Sequence, residues 1–228
     1  MPNVGPKSVL LFDLDGTIAD THGLIMKCYD HAIREHIGKP GLRQIWEARI
    51  GLPLDDILTA TYAHYGQSVP TVAQLDAVKH TYRTHMRDND DSIQSFGGVE
   101  PALIALRSRG YALGIVTTKH RKMALRHLSK LCLLSYFDER AVICGDMGAE
   151  CKPSPEPIWM AIRALNCIAE HAAMIGDSMQ DILAARAANV YAIAACWGTD
   201  NRDSLLAAGP DQILESPSGL IELFAGSG

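Results

Sequence analysis

Two aspartates, Asp13 and Asp15, stand directly behind the apolar run of LLFDLDGTIAD (10–20). Two more, Asp177 and Asp181, lie four residues apart in GDSMQD (176–181). Lys152 sits in KPSPEP, and Thr117 with Thr118 closes the run YALGIVTT (111–118). Alone, each has an ordinary explanation. An aspartate after a strand forms turns or caps helices, Asp177-Ser178 could cap the helix that follows, Ser154-Pro155 reads as another helix start, and Thr117 could simply finish a strand. Together they point to more. Carboxylates at 13, 15 and 177 gathered on one sheet edge would repel one another unless a cation lay among them. Hard oxygen ligands suit Mg²⁺, which keeps several waters and takes one or two carboxylates plus phosphate oxygens. The lysine would neutralise what the metal does not. Such a set handles an anion in transit, and phosphoryl transfer fits it.

The elements that must bring these residues together can be read from the same chain. Short apolar runs recur as SVLLF (8–12), YALGIVTT, RAVIC (140–144), HAAMIG (171–176) and VYAIAA (190–195). Runs of that kind suit strands buried on both faces of a parallel sheet. Helical patterns lie between them: PALIALRSRG (101–110), PEPIWMAIRALN (155–166) and MQDILAARAAN (179–189). Their alternation predicts an α/β fold, an open Rossmann-like parallel sheet with helices on both faces. A ligand crevice then lies beyond the carboxyl ends of the strands, where the polar residues above all fall. Residues 20–92 break the rhythm, holding four amphipathic stretches and no convincing strand. The spacing predicts an all-helical insert after the first strand, with 1–19 and 93–228 forming the catalytic core. Polar segments at its entry (ADTHG) and exit (DNDDSIQSFGGVEP) could hinge it.

The rest of the composition narrows the class. The 228 residues are 47% hydrophobic and carry a formal charge of −5 without a basic cluster, so nothing marks a nucleic-acid partner. No apolar stretch is long enough for a membrane helix or a signal peptide. Six cysteines show neither a CxxC pair nor zinc-like spacing and read as reduced thiols, which predicts a cytoplasmic protein.

DLDGT (13–17), the apolar strand ending in Thr117, Lys152 in KPSPEP, and GDSMQD resemble the four motifs of the haloacid dehalogenase-like hydrolases, in the same order. The insert resembles the helical cap of the phosphoglycolate phosphatase-like branch. The resemblance implies that Asp13 attacks phosphorus to form an aspartyl-phosphate. Asp15 would protonate the leaving oxygen and then activate water. Alternation puts residues 13 and 15 on one side of an extended segment, which suits that division of labour. Mg²⁺ would be held by Asp13, the backbone carbonyl of Asp15, and Asp177, with Asp181 orienting a metal-bound water or supporting the ligand shell. Thr117 and the backbone of Thr118 would donate to phosphate oxygens, and Lys152 would stabilise both the nucleophile and the transferring group. Two departures stand out: Thr118 replaces the asparagine often found there, and Asn189 replaces the glycine that often ends the helix after GDSxxD. Asparagine is the next best residue for a left-handed helix end.

Specificity would lie in the cap. Arg49, in ARIGLPLDD (48–56), resembles part of the substrate-specificity loop and could bind a second anionic group, or it is a surface residue at a helix end. His22, near the cap hinge, is a weaker candidate for substrate contact and reads first as a solvated linker residue; Trp46 and Tyr62 read as cap core ahead of a substrate platform. The expected partner is a small phosphorylated metabolite, phosphoglycolate first, taken by a monomer or homodimer. A pyrophosphatase and a β-phosphoglucomutase of the same family are the alternatives; the mutase places a histidine where Ile25 stands here. A dehalogenase would need neither Asp15 nor Mg²⁺, and a phospho-acceptor switch would need no cap.

Overall fold

The computed structural model describes residues 8–198 and 202–225. Residues 1–7, 199–201 and 226–228 of the expected core, and with them most of the segment read as lacking a leader, lie outside the described residues. In chain order the strands are β1 (Val9–Phe12), β2 (Ala19–Asp20), β3 (Gln94–Ser95), β4 (Ala112–Val116), β5 (Val142–Ile143), β6 (Ala172–Gly176), β7 (Tyr191–Ala195) and β8 (Gln212–Leu214). The helices are α1 (His22–Ile37), α2 (Arg43–Glu47), α3 (Leu54–His64), α4 (Val72–Asn89), α5 (Val99–Ser108), α6 (Arg121–Lys130), α7 (Glu156–Ala164), α8 (Met179–Ala187), α9 (Arg202–Ala207) and α10 (Ser218–Leu223).

All four residues of β1 are buried, and their two-residue alternation divides them between two cores. Leu10 and Phe12 join Leu113, Ile115 and Ile175 on one face, under α5, α6 and α10. Val9 and Leu11 join Val116 and Met174 on the other, under α7, α8 and α9. Each fully buried Leu or Phe side chain contributes roughly 1.5–3 kcal/mol, which is why near-continuous apolar runs, with no polar alternation, form this sheet. Six strands lie side by side in the order β5-β4-β1-β6-β7-β8, every neighbouring pair parallel. The open parallel α/β sheet expected from the sequence is therefore the fold. Leaving β1, the chain builds β4 and β5 on one side, then crosses to β6, β7 and β8 on the other. That reversal opens the crevice at the carboxyl end of β1, directly at Asp13.

Helices α1 to α4 come between β2 and β3 and bury a third cluster of their own, including Tyr29, Ile33, Trp46, Leu58, Tyr62 and Val78. Trp46 and Tyr62 thus pack as expected. A buried chain of hydrogen bonds fastens α1 to α3: Tyr29 lies 2.7 Å from the Thr61 hydroxyl, which donates to the Ile57 carbonyl at 2.7 Å. Thr71 and Gln74 form a reciprocal capping box that starts α4.

The sequence patterns missed one pair. Strands β2 and β3 run antiparallel with Ala19 opposite Ser95 and Asp20 opposite Gln94, where only polar hinges were expected. Two residues per strand are too few to display an alternation. Asn189 takes a left-handed conformation, φ 57°, two residues beyond α8, as its substitution for glycine requires.

Candidate active site

Lys152 organises the crevice. Its ammonium, on a side chain only 2% exposed, donates to Asp13 Oδ1 at 2.8 Å, Asp181 Oδ1 at 2.5 Å and the Val116 carbonyl at 3.0 Å. Those bonds use all three of its protons and tie the ends of β1, β4 and α8 together. The loop that presents it runs through a cis Lys152–Pro153 bond.

Asp177 follows β6, and its Oδ1 accepts from Thr17 Oγ1 at 2.8 Å. Its Oδ2 is buried without a hydrogen-bond partner, with His22 Nε2 at 3.5 Å. A buried carboxylate oxygen left bare is costly, and a hard cation is the partner that such an atom fits. Carboxylate oxygens of Asp13, Asp177 and Asp181 lie within 4.8 Å of one another, so the donor set suits a divalent ion. The backbone is shaped to let them converge. At Gly16, with φ 83°, an added Cβ would sit 2.2 Å from Asp177 Oδ2.

Both oxygens of Asp181 are engaged within the protein. Oδ1 takes Lys152, and Oδ2 accepts from the Ser178 amide at 3.0 Å and the Ser178 hydroxyl at 2.5 Å. Ser178 in turn caps α8 by accepting from the Asp181 amide. Asp15 stands apart from the cluster: its Oδ1 meets the Lys119 ammonium and accepts from Thr21 Oγ1 at 2.5 Å. Thr117 is buried, and its Oγ1 accepts from the Lys119 amide at 3.2 Å.

These surroundings divide the acids. Burial, reinforced by Asp181, Asp177 and Asp15 against the pull of Lys152, pushes the Asp13 carboxyl up to about 8. Burial and Asp181 likewise raise Asp177 well above the carboxylate range. Burial opposes ionisation of Asp15 too, but Lys119 and the Thr21 hydroxyl outweigh it and hold that carboxyl below its ordinary value. Asp13 and Asp181 keep Lys152 charged despite its burial. A bound dication would favour the ionised form of both raised aspartates.

A cavity of about 150 Å³ opens over Asp13, Asp15 and Asp177. Ile25, Trp46, Ile50, Leu54 and Ile57 give it an apolar wall, with Arg49 and Thr118 among the polar lining. Arg49 therefore faces the crevice, its Nη1 donating to the Ile45 carbonyl at 3.3 Å. Gly51, at φ 84°, brings the loop after Arg49 so close to Ser178 that a Cβ would lie 2.4 Å from the hydroxyl. His22 corrects the sequence reading: its side chain is 12% exposed, it lines the cavity, and its ring packs edge-on against Trp46. A polar residue at a helix start looks like a linker until the fold turns it inward. Thr17, the last residue of DLDGT, is fastened to Asp177, whereas Arg83, which borders the cavity, carried no sequence signal beyond type and position.

Among the described residues no helix is long and apolar enough to cross a membrane. All six cysteines are free thiols. The chain is 31% identical over 219 residues to pyrophosphatase PpaX of Oceanobacillus iheyensis, covering 96% of this chain and 97% of that protein. It is 32% identical over 215 residues to the "probable phosphatase IndB" of Dickeya dadantii, covering 94% and 92%. A crystal structure from Haemophilus somnus, described as a predicted phosphoglycolate phosphatase, superposes with a TM-score of 0.85 at 20% identity over 95% of this chain and 97% of that one. At that identity the likeness shows the fold. The profile of the haloacid dehalogenase-like hydrolases matches residues 10–195, a span that runs from β1 through β7 and takes in every carboxylate and the lysine described above. With motifs, topology and profile in agreement, this chain belongs to the haloacid dehalogenase-like hydrolase family.

Proposed function

We propose that the protein is a Mg²⁺-dependent phosphatase that hydrolyses a small organic phosphomonoester through an aspartyl-phosphate at Asp13. The observation that carries this reading is the buried Lys152 bridge between Asp13 and Asp181, set beside the bare Asp177 Oδ2. Lys152 holds Asp13 Oδ1 and leaves Oδ2 to attack phosphorus. Asp15, which Lys119 and Thr21 keep ionised in the free site, first takes a proton from solvent as the anionic phosphate closes on it; as the new P–O bond forms, the bond to the leaving oxygen breaks and Asp15 passes that proton to it. Asp15 then takes a proton from water, which attacks phosphorus and frees inorganic phosphate and the Asp13 carboxylate. Thr117 and the Thr118 amide donate to the oxygens of the transferring group. Asp13, the Asp15 carbonyl and Asp177 would hold Mg²⁺, with Asp181 behind them; the ion supplies charge neutralisation for carboxylates and phosphoryl oxygens that would otherwise repel. In this reading 1–19 and 93–228 perform the chemistry while 20–92 select the substrate.

The apolar wall above the carboxylates favours a substrate with an organic body, and Arg49 offers a guanidinium for a second anionic group. Phosphoglycolate has both features. Pyrophosphate is the second reading, favoured by the relative named for that activity. The mutase alternative is disfavoured because Ile25 presents an apolar side chain to the cavity. Phosphate release from phosphoglycolate, sugar phosphates, mononucleotides and pyrophosphate, measured in Mg²⁺ and in EDTA for wild type and Asp13→Asn, tests the proposal. Mg²⁺-dependent release that disappears in the variant is the expected result. Release by Asp13→Asn at near the wild-type rate would overturn the nucleophile assignment.

A further inference from the structure

A second line of buried charge runs inward from Asp15, away from the carboxylate cluster. The Lys119 ammonium contacts Asp15 Oδ1 and lies 3.3 Å from His127 Nδ1 in α6. His127 is fully buried, and its Nε2 lies 3.7 Å from Asp90 Oδ2 without a hydrogen-bond partner. Asp90, also fully buried, is pinned by Arg126 at 2.5 and 2.9 Å and by Lys130 at 2.6 Å. An ammonium has only protons to offer, so Nδ1 accepts from it and the neutral ring carries its own proton on Nε2, toward Asp90.

An apolar side chain would fill the His127 site without the cost of burying polar atoms. The ring is instead placed where a long, flexible lysine needs a second fixed partner. A proton shuttle works only when held within hydrogen-bond reach of the leaving oxygen. Lys119 and Thr21 are the side chains that hold Asp15.

We propose that His127, oriented by Asp90, is a positioning residue: it fixes the Lys119 ammonium, and through it the Asp15 carboxylate, at the edge of the cavity. The inference rests on the proton-shuttle role of Asp15 proposed above. His127 itself touches no substrate; it lies behind Lys119.

The test compares two leaving groups. An alkyl oxygen must be protonated as it departs, whereas 4-nitrophenolate leaves without help. So kcat/KM is measured in Mg²⁺ for 4-nitrophenyl phosphate and for the alkyl phosphate that wild type hydrolyses fastest. The proteins are wild type, Asp13→Asn, His127→Leu, His127→Asn, Lys119→Met and the His127→Leu/Lys119→Met double variant. His127→Leu and Lys119→Met should each lower the alkyl value by about tenfold or more and the aryl value by about threefold or less, since only the acid-dependent step is affected. The double variant should be no slower than Lys119→Met, because the two act in series. His127→Asn, which keeps an acceptor for the ammonium, should recover most of the loss. Equal fractional losses on both substrates, additive losses in the double variant, or unchanged alkyl hydrolysis in His127→Leu would overturn the inference. If His127→Leu does not fold, His127→Asn against Lys119→Met decides on the same ratio: an alkyl-to-aryl ratio near that of wild type in His127→Asn alone supports the inference, and equal ratios in the two refute it. An active Asp13→Asn, or a wild type without alkyl phosphatase activity, would count against the phosphatase reading instead.

Discussion

Replacing Asp13 with Asn should destroy turnover and, in the absence of divalent metal, make the protein more stable. The substitution is nearly isosteric and keeps an acceptor for Lys152 at 2.8 Å. It removes the charge of one acid from a set whose oxygens lie within 4.8 Å of one another. Asp177, itself raised well above the carboxylate range without metal, does not count as a full charge. At an effective dielectric constant of about 20, Asp181 opposes an ionised Asp13 by at least about 3.5 kcal/mol and Lys152 favours it by about 6 kcal/mol, so the cost of burying the charge, the largest influence on this carboxyl, decides the sign. For a chain of this size each kcal/mol by which burial wins raises Tm by about 2–4 °C.

The pH dependence has a definite sign. Burial and the neighbouring acids push Asp13 up to about 8, far above its value of 3.8 in an unfolded chain. The folded wild type therefore binds the proton that the unfolded chain releases, and it loses stability as pH rises from about 4 through about 8. Asp13→Asn cannot titrate there, so its advantage in EDTA should grow over that window. Mg²⁺ should reverse the order, stabilising wild type more than a variant that has lost a ligand charge. Thermal unfolding from pH 5 to 9 in EDTA and in Mg²⁺, alongside phosphate release, measures each part. A variant that melts several degrees below wild type in EDTA at pH 8, or that gains as much from Mg²⁺, would refute the reasoning.

Lys152→Ala should lower kcat/KM by several orders of magnitude and also destabilise the fold by about 3–5 kcal/mol, because the carboxylates it bridges remain buried; a loss of less than tenfold in steady-state kinetics would remove it from the mechanism. Arg49→Ala should raise KM about tenfold or more for a substrate with a second anionic group while leaving KM for 4-nitrophenyl phosphate near wild type; equal shifts on both would make Arg49 a packing residue. Acid should weaken the fold through His127, whose pKa burial and then Lys119 lower to about 4. The unfolded chain takes up that proton near pH 6.5 and the folded protein refuses it, so up to about 3 kcal/mol is lost between pH 6.5 and 4. Chemical denaturation across that range should show the slope in wild type and a flatter one in His127→Leu.

The parts of the site that were legible in the sequence are those where one residue type answers one local demand. Asp13 could be placed because a four-residue apolar run ends in it, and a strand buried on both faces has no other way to read. Asp177 followed from the same logic after β6. Arg49 could be assigned to the cap but not to the cavity, since whether it faced solvent or crevice depended on how the loop carrying Gly51 settles on Ser178. His22 was misread for a similar reason: nothing local distinguishes a histidine that begins a helix in solvent from one turned against Trp46 and Asp177. The chain through Lys119, His127 and Asp90 was least accessible. Its members lie 8 and 37 residues apart along the chain, and only the packing of α6 on the segment after α4 makes them neighbours.

Asp181 shows why structural and functional readings of such residues should not be set against each other. The spacing in GDSMQD serves a capping box, with Ser178 and the third helical residue satisfying one another's amides. The same spacing delivers a carboxylate oxygen to Lys152. Because Asp181 Oδ2 is fixed by Ser178, Oδ1 cannot turn away from the ammonium, and because Lys152 also binds the Val116 carbonyl, the ammonium cannot follow Asp13 outward. A helix start therefore sets the position of the lysine, and the lysine sets which oxygen of Asp13 is left free. Moving the acid one residue along α8 would break the cap and release the lysine together, so the local rule that ends the loop is also the rule that orients Asp13.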